Sequence, residues 1–599
     1  MALADAPPYY AVSHAWIPDM KSIPSRNQIP LSKHLTTLIR RLQKFGKDNS
    51  EFEPRVTYIW LDTICINQDD VHERSLQVAM MGSIYRQSVR TLVWLGEMPS
   101  PSVHLAWQLI ADIYTVFEKE NPSAKSLSDI PIRTYNDESH VAIGLPPLCD
   151  SQWIRLKDLV ELRWFSRIWV VQEVVLSQRD PIIIHGDYHY AWEPMGWAVS
   201  WLRRSGYFRL PQVPEQLRNI DSISNLRRAR TSWPLDALMS ICQVKFHATD
   251  QRDKVYGLLG LSLESEEGSV LPEELKPDYT IDVPTLYQRV ARYLLKRNRS
   301  LAILTRAKSM DGTETRKQRV YDLDLRSWCP DWSDFKTYNE GISTSLSWIE
   351  YSNIFKPASL RFPNYYQASG GLEANLYGPE AGTGDSTILQ LGGFVVDRVA
   401  QVCHFKFNPS SHRQQSNEFD TMISPVLKLA ISLAPASGTL TWIKKFVKTT
   451  TASQHLLKGK SMDQITSDGA AWLQGFLERQ EDDFQSLVGK QECENNANSL
   501  IRQLSTDGIQ EDYIALVRNF CYDRSFIITT QGRMGIVPSS TCHGDTVSVI
   551  LGGGVPYIIR ADGNYWNLVG ESYVDGLMNG ETIERHRNGD IQEDVLSFK

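Results

Sequence analysis

The 599-residue chain lacks most of the features that assign a protein at first reading. Its eight cysteines (65, 149, 242, 329, 403, 493, 521 and 542) are dispersed and form no CxxC pair. That excludes a disulfide scaffold or zinc ribbon and reads as reduced, mostly buried thiols of a cytoplasmic protein. No run approaches the roughly 18 apolar residues of a membrane span. The opening MALADAPPYYAVSHAW lacks the basic and apolar regions of a secretory signal. Lys and Arg number 63 against 70 Asp and Glu, for a net charge of −7, so the basic excess of a nucleic-acid binder is missing. GxSxG, P-loop and HExxH motifs are all absent, as are internal repeats and low-complexity tracts. His185 and His189 are spaced like metal ligands but flank a Gly-Asp turn without a third ligand. The glycines of LGGGVP (551–556) precede no helix that could receive a phosphate. No metal and no bound cofactor are expected.

What is present is an ordinary globular composition, 42% hydrophobic and 22% charged, in a chain long enough for about two to four domains. The first hundred residues alternate strands and helices. YYAVS (9–13) is a short buried strand. Ser32 caps a helix with Leu35, Leu38, Ile39, Leu42 and Phe45 on one face and Gly46 at its end. VTYIWLDTICI (56–66) is a second buried strand with a turn. Asp70 and Glu73 form a capping box for a helix that turns Leu76, Met80, Met81, Ile84 and Tyr85 inward. RTLVWLG (90–96) is a third strand, and the alternation predicts a parallel sheet covered on both faces. Further on, Arg163 to Leu176 reads as one strongly apolar helix, Ile182–Ile184 as a strand, and Leu235–Val244 and Asp253–Leu261 as helical.

Three regions follow from this pattern: 1–265 with an insertion near 97–150, a mainly helical stretch over 266–520, and a small antiparallel β module over 521–599. The last is read from SFIITT, RMGIV, DTVSVIL, VPYIIR and YWNLVG, short strands split by glycine turns.

Candidate chemistry gathers at strand ends, where open α/β sheets bind ligands. Ser13, His14 and Trp16 follow the first strand, and Asp62, Asn67 and Gln68 follow the second. Gln172 and Glu173 sit in VVQEVV, where one carboxylate lies in an almost continuous apolar surface. Buried there, Glu173 has a raised pKa or needs hydrogen bonds. The alternative is a structural bridge to Arg167 or Arg252, and for Asp62 a turn carboxylate accepting backbone N–H bonds. Cys65 reads as a small buried hydrophobe rather than a nucleophile.

YYAVSHAW, YIWLDTICINQDDVHERSLQVAMMGSIYRQSVRTLVWLGE, LRWFSRIWVVQEVVLS and DQRDKVYGLLGL resemble, in order, the blocks of the fungal heterokaryon incompatibility (HET) domain. PDYTIDVPTLYQRVARYLL, WCPDWS and GRMGIVPSSTCHGDTVSVILGGGVPYIIR resemble segments downstream of it in full-length HET proteins. Two departures stand out. The chain starts almost at the first block, and SHAWI replaces that block's usual SYxWG ending. The resemblance implies a cytoplasmic fungal protein of non-self recognition and regulated cell death. Its partners would be other incompatibility or signalling proteins, or further copies of itself. It also implies a TIR-like (Toll/interleukin-receptor-like) parallel sheet, with NAD as a candidate substrate. On that comparison Glu173 holds the nicotinamide ribose hydroxyls and stabilises an oxocarbenium-like transition state. Trp16 or Trp169 stacks on a base, and Ser13, His14 and Asp62 line the cleft. A non-enzymatic signalling scaffold, and an accessory protein of a biosynthetic cluster, are the other two readings.

Overall fold

Tyr9–His14 (β1) is buried along its whole length, as a strand covered on both faces must be. Its side chains alternate. Tyr10 and Val12 pack with Leu38, Leu42, Leu61, Leu92, Trp94 and Ile184 on one face, and Tyr9 and Ala11 with Ile66, Met81, Ile84 and Tyr85 on the other. The structure is a computed structural model that describes residues 3–15, 33–48, 56, 58–97, 103–242, 245–266, 270–307, 320–334, 366–377, 387–405, 416–433, 438–479 and 499–599. Trp16 and Ser32 lie outside these residues. The chain divides into two compact units, Met1–Asp282 and Val283–Lys599.

The first unit is built on a five-stranded sheet: β1, β2 (Tyr58–Trp60), β3 (Arg90–Gly96), β4 (Ile182–His185) and β5 (Tyr188–Ala191), in the order β2-β1-β3-β4-β5. The first four strands are parallel and β5 returns antiparallel on the edge. The chain leaves β1 toward one edge and comes back on its other side as β3. That places a topological switch point, the usual ligand crevice of open α/β sheets, at the carboxyl ends of β1 and β3. The helices of this unit are α1 (Lys33–Asp48), α2 (Asp62–Cys65), α3 (Val71–Gln87), α4 (His104–Glu120), α5 (Asp137–Ala142), α6 (Ser151–Val160), α7 (Val170–Val175), α8 (Trp192–Arg204), α9 (Leu217–Ala229), α10 (Leu235–Cys242) and α11 (Asp253–Leu259). Among the described residues, no helix is long and apolar enough to cross a membrane.

Several local expectations are corrected. The second strand is three residues on the sheet edge, with Tyr58 57% exposed, not a buried run over 56–66. Helix α1 continues past Gly46 to Asp48. Asp70 caps α3 by accepting from the N–H groups of His72 and Glu73, but Glu73 Oε1 accepts from Asn67 N rather than closing the box on Asp70. Leu76 and Met80 face outward, at 69% and 40% exposure. The inward face of α3 is Met81, Gly82, Ile84 and Tyr85. Cys65 is exposed rather than buried, and the partial burial of its thiol holds it above the usual range. The helix expected over 163–176 is broken. A 3-10 turn at Arg163–Ser166 gives way to extended backbone at Arg167, because Ser166 O and Ile168 N bond to the backbone of His247. A tertiary pairing thus overrides a favourable local pattern, and α7 keeps only six residues.

In the second unit Leu389–His404, sixteen residues within 266–520, joins the C-terminal strands. It pairs antiparallel with Thr546–Ile550, Asp594–Phe598 and Arg524–Thr529. Thr546–Ile550, Tyr557–Asp562 and Tyr565–Glu571 continue from it as an antiparallel run. Asp594–Phe598 then leads from Tyr565–Glu571 back to 389–404, so these five strands close into a ring. Phe394, Val396, Val547, Ile558 and Val569 fill their core.

One contact in the first unit admits no side chain. A Cβ on Gly82 of α3 would lie 2.6 Å from Cα of Gly260, which ends α11. One on Gly260 would lie 2.6 Å from Gln172 Oε1 of α7. Alanine for glycine inside a helix ordinarily gains about 1 kcal/mol, whereas a backbone clash of this kind costs about 1–3 kcal/mol. Gly82→Ala is therefore expected to lower stability in urea denaturation. Unchanged or raised stability would mean that α3 and α11 do not meet at this distance.

Candidate functional site at the carboxyl end of the first strand

Glu173 is 2% exposed, and no ion pair reaches its carboxylate among the described residues. Ser13 Oγ donates to Glu173 Oε2, and Trp164 Nε1 donates to Ser13 Oγ at 2.7 Å. A hydroxyl and an indole thus form a relay from the interior to the carboxylate. Burial dominates and raises the Glu173 pKa from 4.5 to about 7. The Arg167 guanidinium and the Ser13 hydrogen bond oppose that rise, and the Asp62 charge adds to it. The structural bridge to arginine is not what forms: Arg167 Nη1 donates to His14 O, and Arg252 serves Asp250 and the carbonyls of Tyr279 and Ile281.

The short helix α7 that carries Glu173 is fixed from three sides. Thr91 Oγ1 of β3 donates to Glu173 O at 2.8 Å. Arg227 of α9 donates to the carbonyls of Val174, Ser177 and Arg179 at 2.9, 2.6 and 2.9 Å; the first is an orphan acceptor of the helix end, and the other two lie in the segment that follows it. At the other end Trp169 Nε1 donates to Asp253 Oδ2 at 3.0 Å. Arg227 and Trp164 went unnoticed in the sequence because nothing in their spacing marks them. They become partners only once α9 and the 3-10 turn fold against β1.

The remaining candidates divide. Ser13 and His14 are consecutive in a strand and so point to opposite faces. Ser13 meets Glu173 on the α3 and α7 side. His14 Nδ1 lies 3.7 Å from Asp62 Oδ1. Asp62 Oδ1 also accepts from Thr63 N at 2.7 Å, the turn role weighed for it. Gln68 Nε2 donates to Asp62 O at 3.3 Å. Asn67 is exposed and its side chain accepts from Asp69 N, closing the turn before α3. Trp169 is half-buried against Asp253 rather than against Ser13. Trp16 lies outside the described residues. Chemically, the arrangement offers a carboxyl group poised near neutrality, able to exchange a proton or to face a developing positive charge.

Comparisons with known proteins bear on the same segment. Residues 9–173, which begin at β1 and end on Glu173, match the family model described as Heterokaryon incompatibility protein (HET). Residues 448–592 match the Het-6 beta-barrel domain. The chain is 24% identical to Heterokaryon incompatibility protein 6, OR allele, of Neurospora crassa, in an alignment that covers 98% of this chain and 92% of that protein. No solved structure matches.

The raised Glu173 pKa has a signed consequence for stability. Between pH 4.5 and about 7 the unfolded chain has released this proton while the folded chain keeps it, so stability falls as pH rises through that window and levels off above it. Asp253 and Asp180, each raised to about 6 by burial, act in the same direction but finish lower. Glu173→Gln keeps an acceptor for Ser13. It is expected to abolish the fall between pH 6 and 7.5 and to leave below 6 only the shallower slope that Asp253 and Asp180 contribute. Glu173→Ala, which strands the Ser13 hydroxyl beside a void, should cost about 2–4 kcal/mol at any pH. Urea denaturation across pH reads both, and a Glu173→Gln profile that keeps the full fall above pH 6 would place the titrating group elsewhere.

Proposed function

The chain belongs to the heterokaryon incompatibility (HET) domain proteins, and from that premise we propose that it acts in non-self recognition by triggering regulated cell death through the crevice at the ends of β1 and β3. The proposal extends to chemistry: the first unit is a TIR-like NAD glycohydrolase with Glu173 as its carboxylate. The observation that carries this is a buried carboxyl held near neutral pH by its surroundings, beside Ser13 at the end of the strand where such sheets bind ligands. In the reaction the bond between nicotinamide and ribose C1′ breaks and nicotinamide leaves with the electron pair. Ionised Glu173, holding the ribose hydroxyls, stabilises the oxocarbenium-like centre, and water adds at C1′ and releases a proton. Ser13 would line the crevice on the Glu173 side, with His14 and Asp62 as a second polar pair on the opposite face of β1 and Asn67 and Gln68 in the turn that follows. Trp16 or Trp169 would stack on a base. The setting is the cytoplasm, among other incompatibility proteins or copies of this chain.

The near-complete burial of Glu173 favours a second reading, in which the carboxyl pins β1 to α7 and the domain signals by assembly without chemistry. Inducing the full chain and its Glu173→Gln variant in yeast, with intracellular NAD and growth followed together, separates the two. Catalysis is expected to collapse NAD in the parent and spare it in the variant, at equal protein level. Growth arrest in both with level NAD would sink the enzymatic reading and leave the assembly reading.

A further inference from the structure

Two segments that lie apart in sequence meet beside α7. The stretch Lys276–Asp282, which ends the first unit, is clasped by groups from α3 and from residues 250–256. Arg252 Nη1 donates to Tyr279 O and to Ile281 O, both at 2.7 Å. Tyr256 OH accepts from Asp278 N at 3.0 Å and returns a bond to Asp278 O at 3.2 Å. Ser75 Oγ accepts from Tyr279 N at 3.2 Å. The Arg74 guanidinium stacks 3.6 Å above the centre of the Tyr279 ring, with Arg252 5.1 Å from it.

What this stretch holds is the start of α7. Tyr279 OH donates to Asp253 Oδ1 at 2.5 Å, and the other oxygen of that carboxylate takes the indole N–H of Trp169. Trp169 O accepts Glu173 N, so the first turn of α7 hangs from this relay. From the strap to Glu173 there are three hydrogen bonds, through the half-buried carboxylate of Asp253. At the far end Glu173 sits under Ser13 and Trp164, where solvent and substrate scarcely reach.

We propose that Lys276–Asp282 is a latch: through Tyr279, Asp253 and Trp169 it holds α7 in the position that keeps Glu173 covered, and its release uncovers the carboxyl. The mechanical part stands on these bonds alone, while its effect on activity rests on the reading of Glu173 given above. The strap runs directly into the helix Val283–Asn298 that opens the second unit. A toxic activity restrained by a short strap needs no separate inhibitor. It responds instead to whatever draws on the chain at residue 282.

The test uses the full chain and three variants: Tyr279→Phe, which removes one hydroxyl and keeps the ring over which Arg74 stacks, Arg252→Ala, which removes the backbone clasp, and Tyr279→Phe combined with Glu173→Gln. Hydrogen exchange of amides 169–176 is expected to quicken about tenfold in the first two while the strands of the sheet keep their protection. NAD loss on induction in yeast should set in several-fold earlier for Tyr279→Phe than for the parent, and the added Glu173→Gln should cancel the gain. Unchanged exchange at 169–176 in folded Tyr279→Phe overturns the latch. So does faster exchange accompanied by slower NAD loss, which would make the strap a support for activity instead. Faster exchange with level NAD in every variant keeps the latch as a mechanical device and removes the NAD reading, so the two failures are separable. If Arg252→Ala does not fold, Tyr279→Phe decides alone.

Discussion

A buried carboxyl that no ion pair reaches among the described residues, with only the Arg167 charge nearby to oppose its protonation, is the constraint around which the first unit is arranged. Moving such a group out of water is costly, and proteins offset the cost with hydrogen bonds or give up the charge. Here both happen: Ser13 donates to Glu173, and its pKa still rises to about 7. The conversion from pKa to free energy makes the ionised form roughly 3 kcal/mol less favourable in the fold than in water, a large share of a typical domain's stability. The surroundings are rigid in proportion. Thr91 ties the Glu173 carbonyl to β3, Arg227 fills the acceptors at the end of α7, and Gly82 and Gly260 let α3 and α11 approach to backbone contact beside Gln172. A helix of six residues would be marginal by itself. These neighbours are what make it a fixed mount for one side chain.

Strand alternation then decides what can act with Glu173. Ser13 shares its face, whereas His14 turns to the α1 face and Asp62. A single cleft lined evenly by Ser13, His14, Asp62 and Glu173 is therefore not what β1 presents. It presents two polar pairs back to back across the end of one strand, bridged where Arg167 donates to the His14 carbonyl. Charge crosses between them, since Asp62 contributes to the raised pKa of Glu173. A serine–histidine–aspartate relay is excluded by the same alternation, because Ser13 and His14 point apart.

The parts of this fold that were legible in the sequence are those set by local physics. Buried strands announce themselves as short apolar runs, so β1, β3 and the strands between Arg524 and Glu571 were readable, whereas Leu389–His404 and Asp594–Phe598 were not, and Asp70 was readable as a cap. The exceptional character of Glu173 was also visible, because one charge in VVQEVV breaks an apolar run. What failed depended on distant partners. The break at Arg167 comes from backbone bonds to His247, eighty residues later. The outward turn of Leu76 and Met80 reflects which face of α3 meets the sheet and α11, and helical spacing alone does not choose between apolar faces. Trp164 and Arg227 carried no sequence signal, since a tryptophan or an arginine becomes a donor to a buried site only when folding brings it there.

The same contrast explains why DQRDKVYGLLGL and PDYTID accompany each other in this chain. Taken singly, each is a polar segment beside an apolar run, with no evident chemistry. Folded, they are one hydrogen-bonded object. Arg252 and Tyr256 from the first receive the backbone of the second, and Tyr279 from the second completes the coordination of Asp253 in the first. Without the second segment Asp253 would lose one of its two donors, and without the first the strap would lose its bonds to Arg252 and Tyr256. Because Trp169 is the other donor to Asp253, the object formed by these two segments ends on the helix of Glu173. The buried carboxyl at the end of β1 and the strap Lys276–Asp282 are thus connected by side chains that pack as structure and, through that packing, hold α7 where Glu173 is covered.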